Sequence, residues 1–339
     1  MDQMRLGKTE IMASRYGFGA LPIQRVSREE AALLLRKAFD HGVNFFDTAR
    51  AYTDSEEKMG YALSDVRSHI YIATKTHAKD KKTLFEHLEL SLKKLQTDYI
   101  DVYQLHNPAA LDYENPDGVL AGLAEAKRKG LVRFIGLTSH RLSLAMKAAA
   151  SGRIDTIQFP LSMLSSSEDI GLTEECRKYD VGLIAMKAMS GGLIRHPEAA
   201  FAFLRQYANV LPIWGVQREE ELDEFLGYEK NPPALDDRMK QLIEDERREL
   251  SGDFCRGCGY CQPCAAGIPI ETAARLTLLM SRAPYEQFLT DDFREQMDRI
   301  ENCTGCGHCR SHCPYGLDTP ALLRRNLEDY RAFRMKHGC

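Results

Sequence analysis

The sequence predicts an α/β chain in two parts. A (β/α)8 TIM barrel is expected over residues 1–230 and a small α-helical module over 251–339, with a linker helix at 231–250 between them. Three observations carry this expectation. Between residues 15 and 230, short apolar runs alternate eight times with amphipathic stretches, the pattern of parallel strands joined by crossover helices. The first run, YGFGALPI from Tyr16 to Ile23, lacks the G-x-G-x-x-G that opens a doubly wound dinucleotide fold, so a closed barrel is preferred to an open sheet. Beyond the barrel, eight of the ten cysteines fall between Cys255 and Cys313.

In chain order, residues 1–15 read as a small hairpin. The strands that follow are Arg15–Ala20, Val43–Phe46, Ile70–Thr74, Ile100–Leu105, Arg133–Leu137, Thr156–Phe159, Gly182–Ala185 and Leu211–Trp214. Helical stretches separate them: REEAALLLRKAFDHG, with Ser27 as its N-cap and Gly42 just past its end, then KKTLFEHLELSLKKL and PDGVLAGLAEAKRKG. After Trp214 an acidic helix, REEELDEFLGYEK, runs to Asn231-Pro232-Pro233, which marks the domain boundary. The charged stretch ALDDRMKQLIEDERREL delivers the chain to Cys255. The stretch between the two cysteine quartets reads as two helices broken at Pro284, and a closing helix begins at Asp318 or Thr319 with Pro320 in its first turn.

Composition narrows the function classes. A hydrophobic share of 44% and a charged share of 28% are those of a soluble globular protein. A net charge of −4 makes no case for a nucleic acid or an anionic membrane as partner. No apolar run approaches the roughly 18 residues of a membrane span, and the polar start MDQMRLGKTE has no apolar core of a secretory signal. A cytoplasmic, reducing location is expected. Outside the cysteine runs, Cys176 reads as a small buried apolar residue and Cys339 as part of a frayed terminus.

The second quartet, Cys303, Cys306, Cys309 and Cys313 followed by Pro314, has the C-x2-C-x2-C-x3-C-P spacing of bacterial ferredoxins. The first, Cys255, Cys258, Cys261 and Cys264, is followed by Ala265, and both quartets begin C-x-G-C-G-x-C. Three thiolates at intervals of three wrap one corner of an iron–sulfur cubane, with glycines allowing the tight turn. Closed zinc sites more often use two separated C-x2-C pairs, and a disulfide framework fits a secreted chain. The stretch resembles a two-cluster ferredoxin with a lengthened middle. In that pattern the fourth cysteine of each run ligates the other cluster. One [4Fe–4S] cluster is therefore expected on Cys255, Cys258, Cys261 and Cys313, and a second on Cys303, Cys306, Cys309 and Cys264.

The barrel carries its own constellation. The second strand runs into Asp47, the third ends on Lys75, the fourth ends on His106, and Tyr52 lies in the loop after Asp47. In a barrel these positions share the C-terminal rim, where the chemistry sits. The motifs NFFDTARAYTDSEEKMG and DYIDVYQLHNP resemble the aldo/keto reductases, and the whole chain resembles members of that family with a C-terminal 4Fe–4S domain. The resemblance implies a catalytic tetrad of Asp47, Tyr52, Lys75 and His106. Tyr52 would cycle as general acid and base with its pKa lowered by Lys75, Asp47 would hold Lys75, and His106 would orient the carbonyl oxygen. It further implies that Ser139 and Gln158 hold a nicotinamide carboxamide, with His140 where many members have Asn. Lys187, Gly191 and Gly192 after strand seven would face phosphates, and Gly215 and Arg218 follow strand eight. That last segment, WGVQREEELDEF, departs from the family: Glu221 and Phe225 stand where an Arg and an Asn grip the adenosine phosphate, and its cluster of acids repels a 2′-phosphate.

The expectation is an oxidoreductase that interconverts a small-molecule carbonyl and its alcohol while two clusters exchange single electrons with a carrier protein. NAD(P)H is implied by the resemblance, with FMN as the alternative. Other readings are an ordinary NAD(P)H-dependent reductase with structural clusters and a redox-sensing binding protein with little turnover.

Overall fold

The computed structural model describes residues 1–250, 252, 254–282 and 285–338. Pro284 and Cys339, the expected helix break and frayed end, lie outside the described residues. The chain forms two compact units, Met1–Ala188 with Glu198–Met239, and Met189–Pro197 with the segment from Lys240 onward.

In the first unit, β1 (Gln3–Arg5) and β2 (Met12–Ser14) pair antiparallel as a hairpin. The next strands are β3 (Gly17–Gly19), β4 (Phe45–Asp47), β5 (Tyr71–Thr76) and β6 (Ile100–His106). They continue as β7 (Val132–Thr138), β8 (Thr156–Pro160), β9 (Gly182–Met186) and β10 (Val210–Gly215). These eight pair parallel and close into a barrel, β10 beside β3. Each matches an expected strand to within a few residues.

Alternation along the strands sorts the interior by chemistry. Phe45, Ala73, Val102, Ile184, Leu211 and Ile213 share one buried apolar cluster with Met4, Leu6, Ile11 and Ala13 of the hairpin segment. The hairpin thus seals the N-terminal mouth of the barrel. Two residues further along the same strands stand Asp47, Lys75 and Gln104, all buried at the opposite rim.

The outer helices are α1 (Arg28–Asp40), α2 (Ser55–Leu63), α3 (Lys81–Leu95), α4 (Val119–Arg128), α5 (Leu142–Ala150), α6 (Ser167–Lys178), α7 (Pro197–Arg205) and α8 (Glu219–Lys230). In α1, Ser27 and Glu30 form a reciprocal capping box, and Ala31, Leu34, Leu35 and Ala38 make the buried stripe. Asp80 caps α3, which buries Leu84, Leu88 and Leu95.

The second unit takes up α9 (Asp237–Glu249) from Lys240 onward. It adds α10 (Ile270–Ala273), α11 (Leu276–Arg282), α12 (Asp291–Asp298), α13 (His308–Ser311) and α14 (Thr319–Lys336). The closing helix α14 is capped by Asp318, with Pro320 in its first turn. Its buried Leu322, Leu323, Leu327 and Tyr330 form a core with Ile270, Leu276 and Leu279. Asn326, also buried, donates to the Ala273 carbonyl at 2.8 Å. Among the described residues no helix is long and apolar enough to cross a membrane.

Candidate active site and cysteine module

The four rim residues expected from sequence come together. Lys75 Nζ lies 2.6 Å from Asp47 Oδ2 and donates to the Thr48 carbonyl, also at 2.6 Å, with both Lys75 and Asp47 buried. The ammonium sits 5.2 Å from the centre of the Tyr52 ring. Tyr52 meets His106 edge-on, ring centres 6.0 Å apart. Burial pushes the Asp47 carboxyl above its ordinary pKa, while Lys75, Gln158 and Gln104 oppose the shift.

Tyr52 departs from expectation in one respect. Lys75 does pull the phenol pKa down, by charge and by hydrogen bond, but burial outweighs it and the Asp47 charge adds to the rise. The net position is above the ordinary phenol value, so Tyr52 rests as a proton donor. His106 is held well below the ordinary imidazole range, by burial first and then by Lys75, His77 and His140. Neutral imidazole is the form that can direct one N–H at a carbonyl oxygen while staying uncharged.

Two participants escaped the sequence reading. Gln104 donates to Gln158 Oε1 at 2.8 Å and to Asp47 Oδ1 at 3.3 Å, and Thr138 donates to Gln104 Oε1 at 3.1 Å. A buried amide lattice therefore fixes the carboxylate from behind. His77 stacks on His106 with ring centres 4.2 Å apart. Parity places both on the rim side, Gln104 two residues before His106 and His77 two after Lys75, but their partners appear only with the strands in register.

The expected cofactor residues are divided between the two units. Gln158 is committed to Gln104 and, at 3.3 Å, to Asp47. Ser139 is buried, and its hydroxyl accepts the Arg141 N–H at 3.0 Å. His140 is also buried and held well below its usual pKa, by burial and then by the Lys187 charge. Lys187 belongs to the first unit and adopts a left-handed backbone, φ 57°. Gly191 and Gly192, left-handed at φ 69° and 88°, belong to the second. Gly215 is exposed at the end of β10. Arg218 is held by Glu221 at 2.7 Å, and Glu221 also accepts the Gln217 N–H at 2.9 Å. Phe225 is buried and stacks on Trp214 at 4.5 Å. Glu219, Glu220 and Glu221 fill the first turn of α8, the end that would otherwise attract an anion.

In the second unit, the cysteines line two cavities. Cys261, Cys264, Cys303, Cys306 and Cys309 all line one of about 210 Å3. Cys255, Cys258, Cys261, Cys309 and Cys313 line the other, so Cys261 and Cys309 border both, while Cys264 lines only the first and Cys313 only the second. The glycines repeat as the motif does: Gly257 and Gly305 have φ 59° and 67°, and Gly259 and Gly307 have φ 79° and 73°. Soft sulfur donors gathered around each cavity fit an iron–sulfur cluster. Burial pushes the Cys261 thiol up to about 12, so its thiolate form depends on a metal to stabilise it.

A parallel barrel with a buried lysine–carboxylate pair, tyrosine and histidine at its C-terminal rim, followed by an eight-cysteine module, defines an iron–sulfur oxidoreductase of the barrel class. The chain belongs to the aldo/keto reductase family, which residues 15–202 match, and residues 254–318 match a 4Fe-4S dicluster domain. An uncharacterised oxidoreductase of Bacillus subtilis is 29% identical over 210 residues, 57% of this chain and 67% of that one. The L-galactose dehydrogenase of Arabidopsis thaliana is 28% identical over 212 residues, 56% of this chain and 66% of that one. Among solved structures, an aldo-keto reductase of Bacillus halodurans in its holo form superposes with a TM-score of 0.64 at 20% identity, covering 73% of this chain and 96% of its own. A thermostable aldo-keto reductase bound to the inhibitor epalrestat gives 0.61 at 27% identity, covering 73% and 100%.

Proposed function

We propose that the barrel interconverts a small-molecule carbonyl and its alcohol, and that two [4Fe–4S] clusters in the second unit exchange single electrons with a carrier protein. The observation that carries the barrel reading is the buried Lys75–Asp47 pair with Tyr52 and His106 beside it. A bound nicotinamide supplies or accepts the hydride. His106 holds the carbonyl oxygen, and Tyr52 gives it a proton as charge develops there. Lys75 stabilises the phenolate left behind, and Asp47, fixed by Gln104 and Gln158, holds Lys75 in place. In this reading Ser139 and Gln158 would grip the carboxamide, and Lys187, Gly215 and Arg218 would face the rest of the cofactor. The crossed ligand sets, Cys255, Cys258, Cys261 and Cys313 against Cys303, Cys306, Cys309 and Cys264, are supported by the two cavities those residues line.

Arg218 is neutralised by Glu221, and Phe225 is part of the aromatic core. These favour NADH over NADPH. They also support a second reading in which FMN, lacking an adenosine phosphate, would be held in place of the nicotinamide and would supply both two-electron and one-electron chemistry. The test is a cofactor inventory of anaerobically purified protein, with turnover measured on a panel of aldehydes. About eight iron and eight sulfide per chain are expected. Tyr52→Phe is expected to lower turnover by about 10²-fold or more with iron content unchanged. Undiminished turnover in Tyr52→Phe would overturn the barrel reading. Tight NADPH binding with no flavin, and clusters that stay oxidised under NADPH, would overturn electron transfer between hydride carrier and clusters.

A further inference from the structure

The segment Met189–Pro197 follows β9 in sequence yet groups with the second unit, and two arginines on α11 and its preceding residue hold it there. Arg275 Nη1 donates to the Gly191 carbonyl at 3.4 Å, and Arg282 Nη1 donates to the Leu193 carbonyl at 2.8 Å. Seven residues are two helical turns, so the two guanidiniums leave one face and reach carbonyls two residues apart. Arg282 is further fixed by Glu246 at 2.6 Å, a pair with both side chains buried, and Glu246 Oε1 accepts the Arg195 N–H at 3.0 Å.

Arg275 has a second neighbour. Its Cζ and Nη1 lie 3.3 Å from where a Cβ on Gly257 would stand, and Nη1 lies 2.7 Å from the corresponding point on Gly191. The guanidinium is packed against two glycines at once, one in each segment. Both have left-handed backbones. Gly257 in turn donates its N–H to Cys255 Sγ at 3.3 Å. A continuous path therefore runs from the Gly191 carbonyl through Arg275 to Gly257 and a cluster sulfur.

We propose that Arg275 is a positioning residue that couples the Met189–Pro197 segment to the cluster on Cys255, Cys258, Cys261 and Cys313. This rests on the cluster reading given above. A guanidinium packed on the ligand loop at Gly257 favours the more negative, reduced form of that cluster and raises its potential. The same guanidinium orders the segment by hydrogen bond and packing. A change of state at the cluster thus alters the order of the segment, and the reverse holds by linkage.

The test uses the full chain loaded anaerobically, with iron and sulfide counted first. EPR-monitored redox titration and hydrogen exchange are then run on the parent protein, Arg275→Gln and Arg275→Lys. Arg275→Gln is expected to lower the potential of one cluster only and to speed exchange in residues 189–197 by about tenfold or more. Exchange in α14 stays unchanged if the unit remains folded. Arg275→Lys, which keeps the charge but not the planar fork, restores the potential without restoring protection. Equal shifts in both clusters, no shift in either, or unchanged protection of the segment overturns the coupling. A protein that binds no iron overturns the cluster reading and the coupling with it.

Discussion

Tyr52 shows how two opposed local effects set the protonation of a phenol proposed to act as acid. Lys75 favours the phenolate, but burial favours the phenol and prevails. Because the phenol is the form needed for reduction, carbonyl reduction is expected to hold its rate through neutral pH and to fall only above the ordinary phenol pKa of about 10. Alcohol oxidation, which needs the phenolate, rises with pH over the same range. Steady-state rates in both directions between pH 6 and about 10.5 check this, and a reduction rate falling already between pH 7 and 8 would contradict it. His140 supplies a stability prediction. Its imidazole is depressed by burial and by Lys187, so the unfolded chain binds the proton more readily than the folded one. Its contribution is present above the unfolded value of about 6.5 and is lost as pH falls below it. His140→Asn is expected to reduce the loss of stability between pH 7.5 and 5.5. Comparing the pH slopes of the urea midpoints cancels the opposite contribution of Asp47 and Glu56, whose raised carboxyls are common to both proteins.

At the scale of elements, the barrel rim depends on what one strand omits. Gly136 on β7 faces Gln104 across the β6–β7 ladder. A Cβ there would lie 2.6 Å from Gln104 Cγ and 2.7 Å from Thr156 Oγ1. The missing side chain is the space in which Gln104 reaches Asp47 and Gln158. Gly136→Ala is expected to destabilise the barrel by about 1–3 kcal/mol through overpacking and to lower turnover by displacing the amide lattice. Urea unfolding paired with kinetics checks both, and a neutral result in each would show that the lattice tolerates the shift. Helix α1 is the opposite case. Its capping box and stripe are local features of REEAALLLRKAFD and its N-cap, so they were legible in full. Gln104 and Gly136 were not, because their roles exist only when neighbouring strands are placed in register.

At the scale of the whole molecule, the two cysteine sets test the long-range order of the second unit. Cys264 lines the cavity of Cys303, Cys306 and Cys309, while Cys313 lines that of Cys255 and Cys258. Cys264→Ala is expected to abolish the EPR signal of one cluster and leave about half the iron. Whether the surviving cluster depends on Cys255, Cys258 and Cys261 is then read from Cys258→Ala in the same background. If Cys264→Ala instead removes the cluster of its sequence neighbours, the crossed sets are refuted. The buried Arg282–Glu246 pair is the second long-range contact. Arg282 keeps a second partner in Glu249 at 2.5 Å, so Glu246→Ala is expected to cost about 1–3 kcal/mol through the lost charge-assisted bond, measured as a lower denaturation midpoint of the second unit.

The amino-acid sequence by itself determined the barrel, the cysteine spacing and the four reactive rim residues. Each of these is encoded locally, in period-two and period-3.6 patterns, in intervals of three, and in the residue that ends a strand. It also placed Glu221 and Phe225 after the last barrel strand, an acid and an apolar ring that cannot themselves bind a phosphate whatever their surroundings. Only the tertiary structure decided the rest. The direction of the Tyr52 shift required the balance of burial against Lys75. The partners of Gln104 and His77 required register between strands. The placement of Gly191 required contacts with Arg275, 84 residues away in sequence, and such long-range contacts leave no periodic trace in the chain.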